Sequence, residues 1–226
     1  MKNTAIFCTI FTLSGCTFST HNDSNLTFEG TSDLSNAIVR VDIQEGNVTS
    51  SGSGTWLNDK YIITAAHLWN GVKPGYKLTV RYLSHVYPAK IYAIENPSNL
   101  DLAVLVVEPN NIIKSPEGWR VKLCDSMLSP AEPVWVASGM YNSISGSYAS
   151  PDSIFLYKGR TGSHGLTGYY KEGVSGSSVF MRSENCMAGI VSMKDKSFDM
   201  ISDVYKTDIV TVDMIRKFLH ENKIII

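Results

Sequence analysis

Three residues able to catalyse acyl transfer occur in the order histidine, aspartate and serine, at His67, Asp101 and Ser175. His67 lies 34 residues before Asp101 and 108 residues before Ser175. A serine hydroxyl becomes an effective nucleophile when a base removes its proton during attack, and imidazole titrates near neutral pH. A carboxylate on the other ring nitrogen fixes the tautomer and stabilises the imidazolium that forms. The three residues therefore predict nucleophilic catalysis, with Ser175 as nucleophile, His67 as base and Asp101 orienting the base.

Two glycines flank the predicted nucleophile. Gly173 can adopt backbone angles that are closed to other residues, which would turn its N–H group toward that of Ser175. We expect these two N–H groups to form an oxyanion hole, the pair of donors that stabilises negative charge in an acyl-transfer transition state. Gly176 would leave room for a substrate chain beside the nucleophile.

Three short segments carry a resemblance to a known family. Residues 64–67 (Thr-Ala-Ala-His) follow an apolar strand, residues 101–105 (Asp-Leu-Ala-Val-Leu) open another, and residues 173–178 (Gly-Val-Ser-Gly-Ser-Ser) precede a third. In that order they resemble the His, Asp and Ser segments of the chymotrypsin-like serine peptidases. The likeness is closest to compact bacterial members, such as glutamyl endopeptidases and periplasmic quality-control proteases. It implies a serine endopeptidase that acts on proteins or peptides without a cofactor.

The same resemblance implies substrate-binding residues. Ser192 and Met193 match the strand that binds the substrate backbone, and Ser192 is expected to support Asp101 through a hydrogen bond. His164 lies in a stretch that borders the primary specificity pocket in relatives, and Tyr169 is a further candidate for shaping that pocket. An exposed loop imidazole is the alternative interpretation of His164.

Val174 departs from the family pattern. Digestive relatives carry an aspartate here that pairs with a newly cut amino terminus, so we do not expect trypsin-type activation. Bacterial relatives often carry asparagine. The valine leaves open whether the oxyanion loop is ordered before a substrate or partner binds.

Short segments rich in β-branched and aromatic residues recur between Gly, Asn, Ser and Pro, which predicts an all-β sandwich or barrel. The predicted strands are residues 37–43, 61–64, 77–82, 90–94, 102–107, 133–137, 153–158, 178–181 and 188–192. A helical period places Met214, Ile215, Phe218 and Leu219 on one face, with Thr211 as the cap.

With the family resemblance, these elements imply a fold class: two six-stranded antiparallel β-barrels of the chymotrypsin type with a C-terminal α-helix. The barrels are expected at about 37–112 and 118–208, divided by a polar stretch at 110–117. The helix is expected at about 211–222. Together they form one peptidase domain over residues 37–226.

The first residues predict export and lipidation. Lys2 and the apolar residues 5–13 fit a signal peptide. The following Leu-Ser-Gly-Cys at 13–16 resembles the lipobox of bacterial lipoproteins, which implies a signal peptide at 1–15 and lipidation of Cys16. Residues 16–36, rich in Ser, Thr, Asn and Asp, would form a lipidated flexible tether. The expected location is the bacterial cell envelope, at the outer membrane, on its periplasmic or exterior face. An ordinary cleaved signal and an uncleaved anchor are the alternatives.

The cysteine count and the composition narrow the possible cysteine states, binding partners and metal sites. Once Cys8 leaves with the signal and Cys16 carries lipid, Cys124 and Cys186 remain, either as a disulfide or as two buried thiols. The formal net charge is −1 and there is no long Lys/Arg run, so nucleic acid is not an expected partner. No His or Cys cluster has metal-ligand spacing. The sequence does not predict an oligomeric state.

Two other functions use the same residues. One is a catalytically silent, protease-like binding lipoprotein, although such a protein has no chemical need for all three triad residue types. The other is an esterase, whose usual Gly-x-Ser-x-Gly elbow and Ser–Asp–His order are not found here.

Overall fold

The computed structural model describes residues 34–107, 121–149, 164–167, 172–194 and 206–226. The signal peptide, Cys16, the tether up to residue 33, Tyr169 and the predicted strand 153–158 lie outside the described residues. The side chain of Leu34 is already buried in the hydrophobic core. The folded body therefore includes residue 34, three positions before the start expected from sequence.

Six strands close the first barrel because their alternate side chains are apolar and point to a common interior. On β1 these side chains are Val39, Val41 and Ile43, which pack with Trp56 and Leu105 of other strands. The strand order around the barrel is β1-β2-β3-β6-β5-β4, and all pairs are antiparallel. The strands are β1 (Ile38–Glu45), β2 (Val48–Trp56), β3 (Tyr61–Thr64), β4 (Lys77–Tyr82), β5 (His85–Ile94) and β6 (Ala103–Val107).

The second barrel repeats this arrangement around its own core. Val134, Val136, Leu166, Val179 and Ile209 are buried there together. The strand order is β10-β11-β12-β9-β8-β7, again antiparallel throughout. The strands are β7 (Pro133–Ser138), β8 (Ser143–Ala149), β9 (His164–Thr167), β10 (Ser178–Met181), β11 (Cys186–Lys194) and β12 (Lys206–Thr211). Two closed six-stranded antiparallel barrels confirm the predicted fold class.

Four of these strands carry no clear sequence signal: β2, β8, β9 and β12. β2 reads Val-Thr-Ser-Ser-Gly-Ser-Gly-Thr-Trp, a composition typical of a turn rather than a strand. It is nevertheless paired on both sides, with β1 and with β3. Ladder hydrogen bonds from two neighbours outweigh weak local propensity, because strand preference depends strongly on context.

The C-terminal helix spans Val212–Glu221 and has the predicted apolar face. Ile215, Phe218 and Leu219 are buried in a core cluster shared with both barrels, and Met214 packs against it. Thr211 is the N-cap residue, but its hydroxyl donates to the Asp213 carboxylate instead of accepting a backbone N–H. No helix in the described part of the chain is long and apolar enough to cross a membrane.

Cys124 and Cys186 form a disulfide inside the second barrel. Both residues are fully buried, and 62 residues separate them along the chain. Cys186 begins β11, while Cys124 lies in the segment that leads into this barrel and donates its N–H to the Met187 carbonyl. The bond therefore fixes the entrance of the second barrel to the strand that carries Ser192.

We expect the double variant Cys124→Ala/Cys186→Ala to fold with a lower free energy of unfolding. A cross-link over a loop of this length removes enough chain entropy from the unfolded state to stabilise the fold by about 4 kcal/mol. Urea unfolding without reductant measures the difference. Wild type unfolded with reductant is the control and should match the double variant, whereas equal midpoints for the variant and oxidised wild type would contradict the expectation.

Candidate active site

The two barrels bring the three predicted catalytic residues to their common boundary. His67 lies in a single helical turn, Ala66–Trp69, that follows β3. Asp101 lies two residues before the start of β6, and β3 and β6 pair through Thr64 and Ala103, so His67 and Asp101 lie side by side. Ser175 lies in the turn before β10 of the second barrel.

Hydrogen bonds join these side chains in a continuous series. Asp101 Oδ2 lies 2.7 Å from His67 Nδ1, and His67 Nε2 lies 2.9 Å from Ser175 Oγ. Asp101 Oδ1 accepts the backbone N–H of His67 at 2.7 Å, and the Ser192 hydroxyl donates to Oδ2 at 2.5 Å. The carboxylate thus receives three donors, including the one expected from Ser192.

The protonation of Asp101 follows from these contacts. Burial raises the pKa of this carboxyl, but hydrogen bonds and attraction from His67, with the Ser192 hydroxyl, outweigh it and leave the pKa below its ordinary value. An ionised carboxylate can only accept hydrogen bonds, so Nδ1 of His67 carries the ring proton. In neutral imidazole Nε2 is then the acceptor, and it faces the Ser175 hydroxyl. This is the arrangement in which His67 can act as a base toward Ser175.

Backbone geometry around Ser175 requires glycine on both sides. Gly173 has φ +89°, and a Cβ atom there would lie 2.7 Å from Met140 Cγ. Gly176 has φ +83°, and a Cβ there would lie 2.0 Å from the Ser53 carbonyl oxygen. Side chains at these positions would meet both backbone strain and a clash. The turn can therefore hold its tight position against the first barrel.

The two predicted oxyanion donors are available in this turn. Within the described part of the chain, neither the Gly173 N–H nor the Ser175 N–H donates to a protein acceptor. Between them, Val174 is buried in the core of the second barrel. Complete burial of a valine side chain is worth about 1.5–3 kcal/mol. An apolar contact therefore anchors the loop at the position where the family pattern has a polar residue.

An open cleft of about 300 Å³ adjoins Ser175. Its walls come from both barrels, as expected for a site that holds an extended substrate between them. The described residues that line it are Ser50, Ser51, His67, Leu68, Asn70, Glu172, Gly173, Val174, Ser175, Val191, Ser192 and Thr207. Sequence reasoning did not find Ser50, Ser51, Leu68, Asn70, Glu172 or Thr207 as cleft residues, because their roles depend on how the barrels are placed; β2 in particular has a turn-like composition.

The other predicted substrate-binding residues are placed only in part. Ser192 and Met193 both lie in β11, and Ser192 reaches the cleft. His164 begins β9, where its backbone pairs with Ile209. The side chains of Met193 and His164 lie outside the described part of the structure, as does the whole of Tyr169. Among the described residues, no group of three or more His, Cys, Asp or Glu is placed to hold a metal ion.

Comparison with solved structures identifies the fold as that of serine proteases. The inactive form of a mutant Rv3671c protein from Mycobacterium tuberculosis H37Rv matches with a TM-score of 0.63 at 12% identity, covering 89% of this chain and 95% of that one. The active form of the M. tuberculosis Rv3671c protease gives 0.61 at 14%, covering 85% and 83%. A serine endoprotease from Yersinia pestis gives 0.60 at 16%, covering 84% and 65%. No protein-family model and no curated protein matches the sequence. At these identities the similarity establishes a shared fold.

We expect Asp101→Asn to lower kcat for peptide hydrolysis by about 10⁴-fold, because an amide in this place favours the wrong imidazole tautomer. Steady-state kinetics would measure the loss, and circular dichroism would show that the fold is retained. Asp125→Asn is the matched control, since the Asp125 side chain is 91% exposed and pairs with Arg216 away from the cleft. Equal kcat for both variants would contradict the assignment of Asp101.

Proposed function

We propose that this chain is a serine endopeptidase that hydrolyses peptide bonds through an acyl-enzyme on Ser175. The observation that carries the proposal is the series of hydrogen bonds from Asp101 through His67 to Ser175, with two backbone donors beside the nucleophile. The fold shared with serine proteases supports it. Proteins or peptides are the proposed substrates.

The proposed first step forms the acyl-enzyme. Ser175 Oγ attacks the carbonyl carbon of the scissile bond while its proton passes to His67 Nε2, and the carbonyl oxygen becomes an oxyanion. The N–H groups of Gly173 and Ser175 stabilise that charge, and the Asp101 carboxylate stabilises the imidazolium. When the tetrahedral intermediate collapses, the C–N bond breaks and His67 gives its proton to the leaving amine.

Water completes the proposed cycle. His67 removes a proton from a water molecule as the oxygen attacks the acyl carbon, and a second oxyanion forms in the same place. Collapse breaks the bond to Ser175 Oγ, which regains a proton from His67. The products are a carboxylic acid and free enzyme, and no cofactor takes part.

We expect a fluorophosphonate probe to label wild-type protein and not Ser175→Ala, because the probe needs an activated serine hydroxyl. The same variant should lose peptide cleavage in a peptide-library digestion that is read by mass spectrometry, which also reports specificity. Ser183→Ala is the control, since Ser183 lies in the turn between β10 and β11 and its hydroxyl donates to the Glu132 carboxylate away from the cleft. Cleavage by Ser175→Ala equal to wild type would remove Ser175 from the mechanism. Folded wild type that neither cleaves nor labels would favour the silent binding lipoprotein.

We further propose that Cys16 is lipidated and holds the enzyme on the bacterial cell envelope, at the outer membrane. Its support is the lipobox-like sequence at 13–16 and the polar segment that follows. Several acyl chains attach a protein to a membrane far more firmly than one chain does. A tether of this length would let the peptidase domain act at some distance from the lipid surface.

Cys16→Ala is expected to abolish incorporation of an alkyne-labelled fatty acid and to shift the protein from the membrane fraction. Metabolic labelling followed by fractionation measures both changes. The matched control is Cys8→Ala, because Cys8 belongs to the segment expected to be removed. Fatty-acid labelling that persists in Cys16→Ala would overturn the lipobox assignment.

A further inference from the structure

The oxyanion donors can act only if their peptide planes are held in one orientation. In a trans peptide the C=O and N–H bonds point to opposite sides, so a contact that fixes the carbonyl also fixes the N–H. No cis peptide occurs in the described part of the chain. The contacts of the carbonyls at residues 172–175, here called the oxyanion loop, therefore decide where its N–H groups point.

Each of these four carbonyls accepts a hydrogen bond. The Tyr141 hydroxyl donates to the Glu172 carbonyl, whose peptide also contains the Gly173 N–H. The Ser177 N–H donates to the Val174 carbonyl at 2.8 Å, and that peptide contains the Ser175 N–H. The other two carbonyls, of residues 173 and 175, both bind Ser53. The peptide with the Ser175 N–H is thus fixed within the turn, and the peptide with the Gly173 N–H is fixed by Tyr141. Ser53 fixes the peptides that follow Gly173 and Ser175, each of which shares a Cα atom with a donor peptide.

Ser53 lies on β2 of the first barrel and contacts the oxyanion loop twice. Its backbone N–H donates to the Ser175 carbonyl at 2.8 Å, and its hydroxyl donates to the Gly173 carbonyl at 3.0 Å. The same hydroxyl oxygen accepts the Met140 N–H at 3.1 Å and lies 3.0 Å from Ser138 Oγ. A serine hydroxyl has one proton and two acceptor sites. Since the proton goes to Gly173, Ser138 must be the donor in the last contact.

The Ser53 hydroxyl thus uses its one proton and both acceptor sites, and the residue is fully buried, with 0% exposure. A buried hydroxyl with three partners has one orientation, because any rotation leaves a buried polar group unpaired. The contact therefore fixes the Gly173–Val174 peptide relative to the first barrel. Tyr141 acts from the turn between β7 and β8, and its side chain is 46% exposed. Its hydroxyl can therefore be removed with little effect on folding.

We propose that Ser53 and Tyr141 are positioning residues that hold the oxyanion loop with both N–H groups directed at the developing oxyanion before substrate arrives. The proposal rests on the proposed serine endopeptidase function and adds the means by which its oxyanion hole is kept ready. Neither side chain touches the reacting atoms. Tyr141 acts on the peptide plane that contains the Gly173 N–H, and Ser53 acts on the planes that follow Gly173 and Ser175, which share their Cα atoms with the donor planes.

Ser53→Ala and Tyr141→Phe test the proposal, because each removes one hydroxyl and little volume. Loss of an entire oxyanion donor lowers kcat by about 10²–10³-fold. We expect loosening of the loop to cost less, about tenfold in kcat for each variant, with KM within about twofold of wild type. The substrate is a fluorogenic peptide that wild type cleaves. Affinity for the matching peptide aldehyde, whose adduct places an oxygen in the hole, should fall in parallel with kcat.

Two matched controls separate positioning from general stability. Ser178→Ala removes another buried hydroxyl at the barrel boundary, which donates to Thr55 Oγ1 at 2.6 Å without touching the oxyanion loop. Tyr148→Phe removes a tyrosine hydroxyl from β8, on the same hairpin as Tyr141, where the side chain is 54% exposed. Both controls should keep the kcat and aldehyde affinity of wild type. If Ser53→Ala fails to fold, the pair Tyr141→Phe and Tyr148→Phe decides the question.

Test variants that match their controls in kcat and aldehyde affinity would overturn the proposal. An equal loss in tests and controls, following their thermal stability, would overturn it as well. Crystal structures of the four variants give a readout that does not depend on activity. A Glu172–Gly173 or Gly173–Val174 peptide that turns only in the test variants supports the proposal, and an unchanged loop in all four refutes it. Wild type that neither cleaves peptides nor binds the aldehyde would refute the proposed function, while the crystal structures would still decide the positioning role.

Discussion

The hydrogen bond between Ser175 Oγ and His67 Nε2 spans the boundary between two separately closed barrels. Its two atoms belong to elements that share no strand, so its length reports how the barrels sit against each other. Misplacement of a reacting group by about 1 Å can cost about 100-fold in rate. A contact at this boundary therefore affects the catalytic rate to the extent that it keeps the two barrels in one relative position.

Two kinds of contact keep that position. Apolar side chains from both barrels and from the C-terminal helix share one core cluster. Burial of this cluster stabilises the association of the barrels, but it does not by itself fix their relative orientation, because the hydrophobic effect is non-directional. Nearer the site, a buried hydroxyl pair bridges the barrels in a directed contact, with Ser53 of the first barrel bonded to Ser138 of the second. Hydrogen bonds add little net stability each, but a mispaired one is costly when buried. The apolar cluster thus favours association of the barrels, and the Ser53–Ser138 contact selects one alignment.

The sequence predicts the catalytic residues better than the residues that position them, and the reason is physical. His67, Asp101 and Ser175 lie in short segments whose residue types are dictated by chemistry and local backbone geometry, so order and spacing suffice to find them. Ser53 lies in a Ser/Gly-rich stretch that has no strand signal, and its partners lie in the other barrel. Tyr141 donates to a backbone carbonyl, which any residue can offer. Such contacts depend on how the barrels pack, and a single sequence does not encode that arrangement in any local pattern.

Val174 gives the oxyanion loop an anchor with unusual thermodynamic properties. A buried valine has no proton to gain or lose and no charge for salt to screen, so neither titration nor charge screening weakens its contact with the core. An ion pair with an amino terminus at this place would fail when the amine lost its proton. The free energy of apolar burial does weaken on cooling. This anchor of the loop is therefore independent of pH, and low temperature is the condition that weakens it.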